Sequence, residues 1–212
     1  MARARVSLAV VKRLPKYYRY LGMIEQKGII RVSSQELSSI TGLTASQIRQ
    51  DLNHFGGFGQ QGYGYNVEEL KSKIMGINKS YKAIILGCGN IGKAIMNYKG
   101  FKSSGFNIVD VFDHGKKVGT KISDYEIKDI DKIEEYLKEK KPEIAVIALP
   151  TDVAQDVCDK LVDGGIKGIW NFASLDLKLP KNVVLENVHL DESLYTLTYY
   201  MNNLADYPGT KN

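Results

Sequence analysis

The spacing of apolar residues changes at about residue 80 and divides the chain into two regions. In the first region apolar residues recur three or four positions apart, as they do along one face of a helix. In the second region short apolar runs alternate with amphipathic stretches, as in a parallel sheet covered by helices on both faces. The pattern therefore predicts an α/β protein, with a small helical domain in residues 1–79 and a Rossmann-type doubly wound parallel sheet in residues 80–190.

The first region begins and ends with helical patterns. Residues 8–11 and 15–21 are predicted to be helical, with Pro15 in a first turn, where its missing N–H costs nothing. A later helix is predicted for residues 66–77. The residues predicted to face inward are Tyr17, Leu21 and Ile24 near the start, and Val67, Leu70 and Ile74 in the later helix.

Residues 33–55 have the pattern of a helix-turn-helix. A Ser-x-x-Glu capping box at Ser33 opens one short helix, and a Thr-x-x-Gln box at Thr44 opens a second. Between them, residues 41–43 include Gly42 and suit a tight turn. Two short helices joined in this way form a common DNA-binding motif. The residues predicted to face inward are Leu37 and Ile40 in the first helix, and Ala45, Ile48, Leu52 and Phe55 in the second.

The other face of the second helix carries polar side chains that can hydrogen-bond base edges or phosphates. The glycine-rich residues 56–65 then predict a β-hairpin wing, because glycine permits the positive φ values of a hairpin tip. Together the motif makes a winged helix-turn-helix. The residues predicted to contact DNA are Lys12, Arg13, Lys16, Arg19, Ser46, Gln47, Arg49, Gln50, Asn53, Gln60 and Tyr63.

Charge agrees with that assignment. Residues 1–80 hold 12 Lys and Arg against 5 Asp and Glu, whereas the rest of the chain holds 17 against 19. The net charge of +5 thus belongs to the first region, where a concentrated positive field attracts nucleic acid. A basic face that is merely solvated is the alternative that charge alone leaves open.

The second region predicts strands and helices in alternation. The strands are predicted at residues 81–86, 107–113, 144–149, 168–172 and 183–190, and the helices at residues 91–98, 131–140 and 152–162.

A Gly-x-Gly-x-x-Gly loop from Gly87 through Gly89 to Gly92 directly follows the first of these strands. In dinucleotide-binding folds the first glycine makes a tight turn, the second lets the backbone approach the pyrophosphate, and the third permits close helix–strand packing. Asp113 ends the second strand, 21 residues beyond Gly92. A carboxylate there accepts hydrogen bonds from the adenosine ribose and disfavours a 2′-phosphate, which favours NAD(H) over NADP(H). Lys116 and Lys117 nearby soften that preference.

The ends of two further strands point to the same crevice, because ligands bind outside the carboxyl ends of parallel strands. These ends are the expected nicotinamide wall, and ordinary turn residues are the alternative. The residues predicted to bind NADH or NAD+ are Gly87, Cys88, Gly89, Asn90, Ile91, Gly92, Asp113, Pro150, Asn171 and Phe172.

The cysteines and the lengths of the apolar runs indicate the cellular compartment. Cys88 and Cys158 show no paired spacing, which favours a reducing cytoplasm. Cys88 also suggests a thiol sensor, although a small loop residue is the simpler interpretation. No apolar run approaches the roughly 20 residues of a membrane span, and the N-terminus lacks a secretory pattern. No catalytic set and no metal-ligand cluster is predicted.

The C-terminal residues carry an apolar helical stripe. Such a helix must bury its stripe against something, either a partner subunit or its own sheet. Asp191 could simply cap this helix. The stripe, at spacings of four and three, is Leu190, Leu194, Leu197, Met201 and Leu204.

Several motifs in the same order resemble the Rex family of redox-sensing transcriptional repressors. The resemblance implies a homodimer that binds pseudo-palindromic operator DNA when NADH is scarce and releases it when NADH binds. The nucleotide is then a signal rather than a reagent. The segments that carry the resemblance, which extends over nearly the whole chain, are residues 13–21, 31–53, 58–65, 87–92 and 188–191.

The resemblance also implies how the two regions communicate. Residues 191–212 would insert into the partner subunit as a swapped C-terminal helix. Asp191 would exchange partners between Arg13 and Tyr98 as the nucleotide state changes.

Two other functions fit parts of the pattern. A small NAD-dependent oxidoreductase would need a general acid or base, but His54, His114 and His189 lie in no catalytic pattern. A coenzyme A-binding subunit is the other, because this type of Rossmann domain also serves acyl-CoA ligases. It would need a phosphorylatable histidine loop, and none is evident.

Overall fold

The structure is a computed structural model that describes residues 6–55, 63–75 and 80–207. The chain divides into two compact units, with the boundary between Lys79 and Ser80.

The described residues of the N-terminal unit form four helices and a two-stranded antiparallel sheet. The four helices pack around one apolar core, to which each of them contributes. In the sheet, Arg31 lies opposite Asn66 and Val32 opposite Tyr65. The elements are α1 (Leu8–Gln26), β1 (Arg31–Val32), α2 (Ser34–Thr41), α3 (Ala45–Asn53), β2 (Tyr65–Asn66) and α4 (Val67–Met75).

The predicted position of Pro15 in a first turn is wrong, because α1 continues unbroken through it. Pro15 itself is exposed, whereas Leu14, Tyr17 and Leu21 on the opposite side are buried. A proline in a helix interior costs about 3 kcal/mol. Each fully buried large apolar side chain contributes about 1.5–3 kcal/mol, so the buried stripe outweighs the missing hydrogen bond.

The helix-turn-helix pattern is confirmed at its first cap and its turn. Ser33 Oγ accepts from the Glu36 amide at 3.1 Å, and Glu36 Oε2 accepts from the Ser33 amide at 2.7 Å. Gly42 ends α2 in the left-handed conformation with φ 69°. The inward position predicted for Ile40 is wrong, because Ile40 is 40% exposed and Thr41 is buried in its stead. The Thr41 hydroxyl is satisfied there by donating to the Leu37 carbonyl at 2.6 Å.

Two details of the later helices also differ. Only half of the second capping box forms: Thr44 Oγ1 accepts from the Gln47 amide, but the Gln47 side chain donates to Asp51 instead. The helix predicted for residues 66–77 begins at Val67, and Asn66 caps it by accepting from the Glu69 amide at 2.9 Å.

The C-terminal unit is a seven-stranded sheet with helices on both faces. Six of its strands are parallel, and a short seventh strand pairs antiparallel with its neighbour at one edge. The strands, in the order β5-β6-β4-β3-β7-β8-β9, are β3 (Tyr81–Leu86), β4 (Phe106–Asp113), β5 (Lys121–Ile122), β6 (Tyr125–Asp129), β7 (Ile144–Ile147), β8 (Gly168–Asn171) and β9 (Val184–Asn187).

Both faces of this sheet are covered, so β3 and β7 lie in the interior. One apolar cluster contains Ile84 and Leu86, and the other contains Ile85, which points to the opposite face. The doubly wound parallel sheet is therefore confirmed. The helices are α5 (Asn90–Met96), α6 (Gly100–Ser103), α7 (Ile133–Lys140), α8 (Thr151–Asp163) and α9 (Leu190–Asn202).

Some element ends differ from the prediction. The helix predicted for residues 91–98 ends at Met96, so Tyr98 follows the helix instead of closing it. The strand predicted for residues 183–190 ends at Asn187, and Leu190 opens α9. Three elements, β5, β6 and α6, were not predicted from the sequence.

The predicted C-terminal helix forms as α9 and none of its residues is buried. Leu194 is 59% exposed and Leu197 is 54% exposed. The stripe thus lies open in the single chain. In the described part of the chain, no helix is both long and apolar enough to cross a membrane.

Candidate functional site

The strand order of the C-terminal unit creates a crevice beside β3. From β3 the chain continues to β4 on one side of the sheet, whereas β7 lies on the other side of β3 and leads on to β8. The loops that follow β3 and β7 therefore diverge at the carboxyl edge of two adjacent strands. Parallel sheets bind ligands at such a switch point.

The three glycines of the loop after β3 lie in three different environments. Gly87 has φ +102°, and a Cβ there would lie 2.3 Å from the Ala148 carbonyl oxygen. A Cβ at Gly92 would lie 1.9 Å from the Gly87 carbonyl oxygen, so α5 packs directly on the loop. Around Gly89, by contrast, a Cβ would meet no described atom within 4 Å. The backbone at Gly89 is therefore open to a ligand.

Gly89 is also the N-cap of α5 and offers no side chain to cap the helix. The first amides of a helix have no intrahelical acceptor, and they carry its positive dipole end. This arrangement suits an anionic group such as a pyrophosphate, with Asn90 and Ile91 in the first turn.

Asp113, at the end of β4, is tied to the glycine-rich loop. Its side chain is 4% exposed, and it accepts from the Cys88 amide at 2.7 Å, the His114 amide at 2.8 Å and Lys117 Nζ at 2.7 Å. Burial raises the pKa of Asp113, but the Lys117 ammonium and the two amides outweigh it and hold the pKa below its ordinary value. The carboxylate is therefore ionised and fixes the loop. Its contact with a ribose stays a prediction.

Asn171 is fully buried at the end of β8. Its amide nitrogen donates to the Leu175 carbonyl at 2.8 Å and to Asn187 Oδ1 at 3.0 Å, and its oxygen accepts from the Ala173 amide at 3.0 Å. These bonds hold the loop after β8. Phe172 packs edge-on against Trp170, with 4.6 Å between the ring centroids. Pro150 directly precedes α8, at the end of the loop that follows β7.

The thiol of Cys88 is 1% exposed. Burial and the neighbouring Asp113 raise its pKa to about 11. A buried thiol that stays protonated at neutral pH is a poor nucleophile, and this disfavours the thiol-sensor interpretation. Among the described residues, no group of three or more His, Cys, Asp or Glu could hold a metal ion.

Four of the five predicted DNA-contacting residues of α3 lie on its exposed side, and the fifth, Gln47, is half-buried. Ser46, Gln50 and Asn53 are exposed, and Arg49 is exposed while its guanidinium donates to Ser34 Oγ at 3.0 Å. Tyr63 is 66% exposed. On α1, Lys12 and Arg19 are exposed and Lys16 is half-buried. Gln60 and the tip of the predicted wing lie outside the described residues.

Sequence reasoning missed Asp51, which is buried between α1 and α3. Arg13 donates to it through Nε at 2.6 Å and Nη2 at 2.8 Å, Tyr17 through its hydroxyl at 2.7 Å, and Gln47 through Nε2 at 2.8 Å. Burial raises the pKa of Asp51, but the hydrogen bonds from Arg13, Tyr17 and Gln47 lower it by more. The net pKa therefore lies below the ordinary aspartate value. The available signal was a charged residue inside the apolar face of α3.

This network, the Asp51 cluster (Arg13, Tyr17, Gln47 and Asp51), engages two of the predicted DNA contacts. Arg13 and Gln47 hold α3 against α1, so their side chains position the helix whatever else they contact. Tyr98 and Asp191, the other members of the predicted switch, are exposed in the C-terminal unit. Tyr98 packs edge-on against Phe101 at 4.8 Å.

Comparison with known proteins gives matches in both units and over the whole chain. A family model described as a putative DNA-binding protein N-terminus matches residues 5–53, and one described as a CoA binding domain matches residues 78–175. The redox-sensing transcriptional repressor Rex of Clostridioides difficile is 54% identical over 200 residues, covering 92% of this chain and 95% of that protein.

Solved structures agree. A crystal structure of RSP in complex with β-NAD+ and operator DNA matches with a TM-score of 0.89 and 51% identity, covering 95% of each chain. A structure of RSP in complex with β-NADH matches with a TM-score of 0.84 and 48% identity, covering 94% of this chain and 96% of that one. These relatives are repressors rather than enzymes, and they match both units in one chain.

Proposed function

The chain belongs to the Rex family of redox-sensing transcriptional repressors, and from that premise we propose that it binds operator DNA as a homodimer and leaves the DNA when NADH binds. One observation carries the proposal: an open glycine-rich crevice and a basic helix-turn-helix occur in one chain that is 51% identical to a repressor solved with NAD+ and operator DNA. The proposal includes a cytoplasmic location, since operator DNA and NADH are both present in that compartment.

The DNA-binding surface is the exposed side of α3 together with the basic residues of α1. Phosphate contacts from Lys12, Lys16 and Arg19 orient the unit, and Ser46, Arg49, Gln50 and Asn53 reach base edges. A pseudo-palindromic operator fits this arrangement because a twofold dimer presents the same helix to each half-site.

The dimer forms through α9. A contiguous row of exposed apolar side chains, such as the stripe of α9, is unusual in a monomer and marks an interaction surface. Leu194, Leu197 and Met201 bury their side chains against the partner subunit, which joins the two nucleotide-binding units.

The nucleotide signal is the redox state of the nicotinamide. NADH and NAD+ differ there by a hydride and a positive charge, and the crevice beside β3 and β7 converts that local difference into a change of dimer geometry. A 100-fold change in operator affinity corresponds to about 2.7 kcal/mol of coupling, inside the usual range of roughly 1–3 kcal/mol.

The switch consists of Asp191, Arg13 and Tyr98. Arg13 uses Nε and Nη2 for Asp51, and a guanidinium has five N–H donors, so Nη1 can donate to a second carboxylate without breaking the first pair. One relocated charged hydrogen bond per subunit, at about 1.5–3 kcal/mol, is enough for the coupling required.

The test is a titration of a palindromic, A·T-rich duplex with the full-length protein at fixed salt, in the presence of NADH, NAD+ or no nucleotide. We expect NADH to weaken binding about 100-fold, and NAD+ to leave the duplex bound. Salt must be fixed because each neutralised phosphate contributes a slope of about −0.9 in log K against log salt. Equal affinity in the presence of NADH and NAD+ would refute redox sensing.

Asp191→Ala tests the switch separately. The variant is expected to bind NADH normally and to remain on the duplex at NADH concentrations that release the unmodified protein. Release at the same NADH concentration would exclude Asp191 from the switch.

A further inference from the structure

Lys117 forms an ion pair with Asp113, the acid that is expected to contact the adenosine ribose of a bound nucleotide. Lys117 closes a short turn, Gly115–Lys117, just after β4. Its Nζ lies 2.7 Å from Asp113 Oδ2. The Asp113 side chain is 4% exposed and that of Lys117 is 47% exposed, so the ammonium caps the carboxylate on its solvent side.

The pair changes what the end of β4 presents to a nucleotide. A lone carboxylate there repels a 2′-phosphate, which carries a charge of about −1.5 to −2 at neutral pH. The hydrogen bonds that Asp113 accepts from Cys88, His114 and Lys117 hold its pKa low, so the acid stays ionised. The Asp113 carboxylate and the Lys117 ammonium together, however, carry no net charge. A cation at this position is also a donor for a phosphate.

We propose that Lys117 is a specificity-determining residue of the nucleotide site, which narrows the preference for NADH over NADPH by neutralising Asp113 and donating to a 2′-phosphate. The inference rests on the proposed NAD(H) site. It predicts that NADPH and NADH compete for the same crevice. It also predicts that the ratio of their dissociation constants depends on the charge at residue 117.

The surrounding residues distinguish Lys117 from its neighbours. Lys116 lies in the same turn, is exposed and carries the same charge, yet only Lys117 has the i,i+4 pairing with Asp113. His114 Nδ1 lies 3.3 Å from the other oxygen, Asp113 Oδ1, and its side chain is 70% exposed. Lys116 is therefore a matched control for long-range charge, because replacing it changes the net charge equally without altering the pair.

The experiment measures NADH and NADPH affinity of the full-length protein by calorimetry, for the unmodified chain, Lys117→Gln, Lys117→Arg and Lys116→Gln. Gln at residue 117 keeps a hydrogen-bond donor for Asp113 and removes the charge, whereas Arg keeps both. We expect Lys117→Gln to weaken NADPH binding roughly tenfold, in the range of a lost charged hydrogen bond that is partly screened by solvent. NADH affinity should change less than about threefold, and Lys117→Arg should behave like the unmodified protein.

Each outcome decides the matter. An unchanged NADPH to NADH ratio in Lys117→Gln, or the same change in Lys116→Gln, would overturn the proposal. If Lys117→Gln does not fold, the unmodified protein still tests it: salt should weaken NADPH binding more steeply than NADH binding, and equal salt dependence would overturn it. If the unmodified protein does not bind NADH at all, the proposed function itself is refuted. That result differs from an NADPH to NADH affinity ratio that stays constant between the variants.

Discussion

Replacing Asp51 by Ala is expected to destabilise the N-terminal unit selectively. The carboxylate has no exposed area, and it accepts four hydrogen bonds from Arg13, Tyr17 and Gln47. Asp51→Ala removes the acceptor of all four bonds. The loss therefore falls on α1 and α3, the two helices that the carboxylate joins.

The magnitude follows from what each donor becomes. The Tyr17 hydroxyl is fully buried, and a buried donor without an acceptor costs about 1–3 kcal/mol. The Arg13 side chain is 27% exposed and regains water, so its share is well below the 3–5 kcal/mol of a fully buried broken ion pair. We expect a total of about 2–4 kcal/mol. In a domain of this size that lowers the melting temperature by roughly 10–30 °C.

Trp170 makes the assay selective. It is the only tryptophan in the chain and lies on β8 of the C-terminal unit. Its fluorescence therefore reports that unit, whereas helical circular dichroism also reports α1 to α4. Asp51→Ala should shift the circular dichroism transition to lower temperature and leave the Trp170 transition in place. Asn53→Ala, exposed on the same helix, is the matched control and should cost less than about 1 kcal/mol.

A double variant provides the sharpest test of the reasoning. Tyr17→Phe removes the donor that Asp51→Ala leaves stranded, so the double variant should be about 1–2 kcal/mol more stable than the sum of the single effects predicts. Strict additivity would refute the stranded-donor argument.

The same carboxylate gives the unit a defined pH dependence. The folded-state pKa of Asp51 lies below the ordinary aspartate value of about 3.9. The stabilisation that the Asp51 carboxylate gives the folded unit is therefore fully present above the ordinary aspartate pKa. It is lost as the pH falls through the folded-state pKa. The stability difference between the unmodified protein and Asp51→Ala should be constant from pH 6 to about pH 5 and should shrink below about pH 4.

Three further predictions concern the nucleotide-binding unit. Gly92→Ala should lower stability and abolish NADH binding, because its Cβ would lie 1.9 Å from a backbone carbonyl oxygen. Gly89→Ala should fold normally and lose only NADH affinity, because a Cβ there meets no described atom within 4 Å. Thermal unfolding and calorimetry separate the two variants, and equal stability of both would contradict the close packing at Gly92. Both cysteines are buried, with pKa values raised to about 11 by burial, so a thiol reagent at pH 8 should label neither in the folded protein and both in urea. Leu194→Asp should dissociate the dimer in sedimentation, while Ser193→Asp should not; a dimeric Leu194→Asp variant would exclude this face of α9.

Much of the fold could be predicted from local patterns. The capping residue Ser33, the left-handed Gly42 and the apolar run of β3 each act over a few neighbouring residues, so their effect is visible in the sequence. The hairpin of β5 and β6 could not be predicted in this way, because β5 has only two residues and depends on pairing with its neighbour.

The candidate sites divide along the same line. The glycine spacing and the acid at the end of β4 predicted a dinucleotide crevice. The sequence does not show that Asp51 meets Arg13, 38 residues away, or that Lys117 neutralises Asp113. The position of each acid is visible in the sequence, but only the residues that surround it in the folded chain set its charge environment.

By itself the sequence determined the two regions, the helix-turn-helix, the glycine-rich loop and the apolar stripe of α9, because turns, caps and periodicity are properties of adjacent residues. Tertiary structure alone decided that α1 runs through Pro15, that Asp51 joins α1 to α3, and that Asp113 is shielded by Lys117. The reason is physical. Burial and ion pairing depend on which distant groups the folded chain brings within about 3 Å, and a buried stripe can outweigh the cost of a local irregularity.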